Sequence, residues 1–140
     1  MSIAFNTHDP PEAGCPDLKG VRVLLVEDSL SVGEAMKSLL QACGAKVVGP
    51  VATKAEADRL ISESLPDAAL VDVNLRGGER ADCLIDRLHD QGVRVVVTSG
   101  SSDHPLAPRR AITLSKPFSE AQFFAALIAM ATPAREGGGS

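Results

Sequence analysis

Five short apolar runs recur along the 140-residue chain, and helix-type patterns stand between most of them. The runs are "VRVLLV" at 21–26, "KVVGPV" at 46–51, "AALVDV" at 68–73, "VRVVVT" at 93–98 and "AITLS" at 111–115. Most are continuous rather than alternating, which is how strands buried on both faces read. Between them, apolar residues return at helical spacing: Met36, Leu39, Leu40 and Cys43, then Ala57, Leu60 and Ile61, then Ala81, Leu84, Ile85 and Leu88. Phe123, Phe124, Leu127 and Ile128 make the stripe of a last helix. Gly44 fits a helix stop. "TKAE" at 53–56 and "SEAQ" at 119–122 are capping boxes that open two helices. Strands alternating with helices predict a parallel sheet covered on both faces. Five such units predict an α/β, flavodoxin-like, doubly wound five-stranded parallel sheet of order 2-1-3-4-5. Pro50 suits an edge strand. The fourth unit, "SGSSDHPLAPRR", breaks the rhythm: Pro105 and Pro108 predict a fourth helix that is short or missing.

The ends differ from this middle. Residues 1–20 and 132–140 are polar and rich in Pro or Gly, and read as flexible tails around one domain at 21–131. A net charge of −4 without a long basic run gives no nucleic-acid footprint. No apolar run is long enough to span a bilayer, and no basic-then-apolar leader opens the chain, so a cytoplasmic location without membrane insertion is expected. The three cysteines, Cys15, Cys43 and Cys83, form no CxxC pair and read as reduced structural residues, two of them in apolar helix patterns. The three histidines are scattered, so no zinc-type cluster is in view.

In a doubly wound sheet the functional crevice lies at the carboxyl ends of the strands. The first strand ends in Glu27-Asp28 and its predicted neighbour ends at Asp72. Two carboxylates about 4 Å apart repel by roughly 4 kcal/mol at an effective dielectric near 20. Such a cluster protonates or holds a cation, and oxygen ligands with open positions suit Mg²⁺ better than zinc. The fourth strand brings the Thr98 hydroxyl, and Lys116-Pro117 after the fifth brings an ammonium. Acids, hydroxyl and ammonium together suit phosphoryl transfer to a carboxylate, with Asp72 as the nucleophile. Each residue has a plainer reading alone. Asp28 could cap a helix and Asp72 could start a turn. Thr98 could be an ordinary strand residue, and Lys116 a solvated lysine. Four strand ends carrying compatible chemistry favour a site.

"LLVEDS", "ALVDVNL", "VVVTSG" and "SKPF", in this order, resemble the receiver domain of two-component response regulators. "GPVATKAEA", "DVNLRGGE" and the short fourth unit look most like stand-alone receivers of alphaproteobacteria. The resemblance implies that Asp72 is the phosphoacceptor. It implies that Asp28 and Asp72 ligate Mg²⁺ directly, Glu27 through water, and Asn74 through its backbone carbonyl. Thr98 would be the switch hydroxyl, Lys116 the phosphoryl partner, and Ser99 the small residue that admits the donor. Asn74 and Gly100 stand where the family tunes dephosphorylation. A sensor histidine kinase or phosphotransfer protein is the implied donor, and a downstream protein target or a phosphate-sink role the implied output. No effector domain is expected after Ala131. Thr113 departs from the family, which usually carries an aromatic switch residue there. A receiver-like binding module that works without phosphate is the alternative. An aspartyl-phosphate phosphatase of the haloacid dehalogenase type would need a cap and a later acidic pair, for which the chain lacks space. A nucleotide-binding flavodoxin-like protein would need a Gly-rich cradle that "VEDSLSVG" does not offer. The protein is therefore expected to be a signalling domain and not an enzyme.

Overall fold

Strand β1 (Arg22–Val26) lies inside a five-stranded parallel sheet of order β2-β1-β3-β4-β5, with β2 (Lys46–Val51), β3 (Ala68–Asp72), β4 (Arg94–Ser99) and β5 (Ile112–Ser115). The structure is a computed structural model that describes residues 16–73, 75, 81–100 and 112–131. The predicted strand order is the observed one, and β2 with its Pro50 is an edge. The connection at 101–111, where the short or missing fourth helix was expected, lies outside the described residues, as do residues 1–15 and 132–140.

Helix α1 (Leu30–Ala42) starts at Ser29, whose hydroxyl accepts from Val32 N at 3.4 Å, and stops before Gly44 at φ +95°. Helix α2 (Lys54–Glu63) opens on Thr53, which accepts from Glu56 N at 3.2 Å. Glu56 reaches back to Ala52 N at 3.0 Å and also to the Thr53 backbone, which closes the expected capping box. Helix α3 (Asp82–Asp90) buries Leu84, Ile85 and Leu88, as its periodicity predicts. Helix α4 (Glu120–Ala131) is capped by Ser119 and Gln122, whose side chains accept from each other's backbone N–H at 3.1 and 2.8 Å.

Parity along the strands sorts the core into two layers. Val23, Leu25, Leu70, Val96 and Leu114 pack with residues of α1 and α4, whereas Leu24, Val26, Ala69, Val71, Val95 and Val97 pack with residues of α2 and α3. Four expectations need correction. Ile128 is 40% exposed, while Ala126 and Met130 join Phe123 and Leu127 in the core. Cys83 lies on the exposed face of α3, not in its apolar stripe. Cys43 is disulfide-bonded, so the reduced state expected for the cysteines does not hold for it, while Cys83 is free. Leu18, in the segment read as a tail, is fully buried and belongs to the α1–α4 core layer.

Candidate functional site

The strand parity that builds the α1–α4 layer also aims the polar residues. Glu27 follows Leu25, Asp72 follows Leu70, Thr98 follows Val96 and Lys116 follows Leu114, each two positions on. All four therefore face the same side of the sheet at its carboxyl end. Registers bring them together: Asp72 is the Cα partner of Thr98, and Val73 N donates to Thr98 O at 2.9 Å. Lys116 N donates to Ser99 O at 2.7 Å, which carries the chain past β5 and over the crevice. Pro117 follows, through a cis peptide bond.

The Lys116 ammonium joins the acids. Nζ lies 2.9 Å from Asp72 Oδ2 and 3.1 and 3.0 Å from the two Glu27 oxygens. Glu27 Oε2 also accepts from Ser29 N at 3.2 Å. Glu27, Asp72 and Thr98 are the buried polar side chains of the described residues, at 2%, 5% and 1% exposure. Burial pushes the Glu27 carboxyl up; the Lys116 hydrogen bond opposes this, the Asp72 charge adds to it, and the net direction is upward. Burial pulls the Lys116 ammonium down, but its bonds to Asp72 and Glu27 outweigh that and leave it above the ordinary lysine value.

Oxygens of Glu27, Asp28 and Asp72 lie within 4.8 Å of one another. Glu27 Oε1 is buried and meets the Lys116 ammonium at 3.0 Å without a well-aligned hydrogen bond, whereas Thr98 Oγ1 is buried without a hydrogen-bond partner. Three carboxylates gathered this closely, with one ammonium shared between two of them, form an oxygen donor set that suits a hard divalent cation. The plainer reading of Asp28 as the helix cap is not the observed one, since Ser29 holds that place. Asn74 lies outside the described residues. Ser99 and Gly100 are half-buried at the end of β4, and Thr113 is exposed on β5.

One feature was not legible from the motifs. Beside Lys116 opens a groove of about 730 Å³ between α1 and the β5–α4 turn, walled by Val32, Met36, Leu39, Phe118 and Phe123.

The fold has counterparts among solved structures. The solution structure of SdrG from Sphingomonas melonis Fr1 matches at a TM-score of 0.69 and 30% identity, over 86% of this chain and 98% of that one. The chain belongs to the receiver-domain family of response regulators. A second SdrG structure, titled as its BeF3-activated conformation, matches at 0.67 and 31%, over 79% and 96% of the two chains. The response regulator PhyR from Brucella abortus matches at 0.69 and 25%, over 83% of this chain but 49% of PhyR. No protein-family model matches the chain, and the comparison with curated proteins finds no match. Among the described residues no helix is long and apolar enough to cross a membrane.

Proposed function

We propose that this receiver is a single-domain response regulator, its domain at 21–131 extended at the start to take in Leu18, that accepts a phosphoryl group on Asp72 in the cytoplasm. The observation that carries the reading is the Lys116 ammonium held between Asp72 and Glu27 on the face that also presents Thr98. The donor is a sensor histidine kinase or phosphotransfer protein. An Asp72 oxygen attacks phosphorus, the phosphorus–nitrogen bond breaks, and its electron pair returns to the donor imidazole. Lys116 neutralises a phosphoryl oxygen, and the Thr98 hydroxyl supplies a hydrogen bond that it does not otherwise spend. Glu27, Asp28, Asp72 and the Asn74 carbonyl would hold Mg²⁺, which supplies charge neutralisation to the phosphoryl oxygens. The groove beside Lys116 gives the donor an apolar seat next to the acceptor. Output then passes by protein contact, or the chain drains phosphate from its donor. That a relative adopts a BeF3-activated conformation supports the reading.

Acetyl phosphate with Mg²⁺ is expected to add one phosphoryl mass to the native protein and none to Asp72→Asn. Mass spectrometry that finds no gain in the native protein overturns the reading.

A further inference from the structure

The registers of β1 and β2 contain a break. Leu24 pairs with Val48 and Val26 with Val51, so Gly49 and Pro50 together stand opposite Leu25. This is a β-bulge, and a one-residue slip exchanges the faces of everything beyond it. Val47 packs in the α1–α4 layer and Val48 in the α2–α3 layer, yet Val51 also packs in the α2–α3 layer, against simple alternation. The bulge thereby turns the Pro50 ring toward α1. A Cβ on Gly33 of α1 would lie 3.0 Å from Pro50 Cβ and Cγ and 3.6 Å from Glu27 Cγ. The proline ring and the stem of Glu27 thus close on the same glycine. Past the bulge, Val51 O accepts from Glu27 N at 2.9 Å and fixes the backbone of the acid itself. A side chain at the first residue of the bulge forces the backbone to shift: Gly49 has φ +112°, and a Cβ there would sit 2.5 Å from Leu25 O.

We propose that the Gly49–Pro50 bulge is the positioning element of Glu27 and through it sets the affinity of the acidic site for a divalent cation. It rests on the reading of Glu27 as a cation-carrying residue. Gly49 carries no side chain to ligate a cation; it acts by holding the backbone and wall that aim Glu27.

The test is a double-mutant cycle of Gly49→Ala and Glu27→Gln on the full chain, with Mg²⁺ titrated by calorimetry. In the native background Gly49→Ala is expected to weaken Mg²⁺ about tenfold, the range in which supports of a metal ligand act. With Gln at 27 the same substitution is expected to change affinity less than about twofold, since its route of action is gone. Without metal, exchange of the Glu27 amide proton is expected to quicken about tenfold as its bond to Val51 opens. Equal losses in both backgrounds, or no loss in the native one, overturn the inference. So does loss of a cooperative melting transition in EDTA, which would make Gly49 a residue of the fold rather than of the site. Absence of Mg²⁺ binding by the unsubstituted protein overturns the proposed function, and the inference with it.

Discussion

At the scale of single residues, the site is a charge problem solved in part. Burial disfavours the Glu27 charge, and Lys116 offsets that without removing it, so the folded carboxyl holds its proton to higher pH than the unfolded one. For an acid raised in this way, stability falls as pH rises from the unfolded value through the folded one, and the penalty is full above it. Glu27→Gln is therefore expected to melt higher than the native protein at pH 7 in EDTA, with the gap narrowing at pH 4. In saturating Mg²⁺ the order should reverse, because only the native site gains full binding energy. Lys116→Met acts oppositely. It leaves buried carboxylates without their cation, and because the lysine is 25% exposed the cost in EDTA is expected at about 2 kcal/mol, below that of a fully buried pair. Urea titration measures it, and Mg²⁺ should recover part of the loss.

At the scale of elements, local chemistry and long-range register differ in what they reveal. The caps of α2 and α4 were legible because every atom involved lies within a few residues. Strand ends were legible for the same reason, and with a strand order they placed Glu27, Asp28, Asp72, Thr98 and Lys116 at one edge. The inward face of α4 was not: "EAQFFAALIAMA" is apolar on nearly every side, so spacing chose Ile128 where packing chose Met130. The β2 bulge was hidden because a register exists only between two strands, although Gly49-Pro50 inside an apolar run was its trace. The α2 cap gives a test of its own. Thr53→Ala is expected to cost about 1 kcal/mol in urea. The Ala52 N–H bond holds the Glu56 carboxyl below its ordinary range. Stability from Glu56 is thus present above the unfolded value and lost as pH falls through the folded one. Glu56→Gln is expected to flatten the acid limb of the stability profile while leaving Mg²⁺ binding unchanged.

At the scale of the whole molecule, the two ends of the sheet carry different duties. The carboxyl end holds the acids, the lysine and the groove. At the other end, Leu18 N donates to Cys43 O at 2.8 Å, Val21 N donates to Leu18 O at 2.9 Å, and the Leu18 side chain closes the α1–α4 core layer. No strand or helix pattern announces this residue, because it enters the core from irregular backbone. Leu18→Ala removes a fully buried side chain and is expected to cost about 3 kcal/mol in urea, with the exact cost set by how far α1 settles into the space. Because the site lies at the far end of the strands, its effects should add to those of Leu18 rather than couple to them. Well below the melting temperature, Leu18→Ala is expected to bind Mg²⁺ and take up phosphoryl from acetyl phosphate as the native protein does. A fall in Mg²⁺ affinity that tracks the fall in stability would mean that the layer transmits strain along its length, and that the crevice depends on the packing of the whole α1–α4 face.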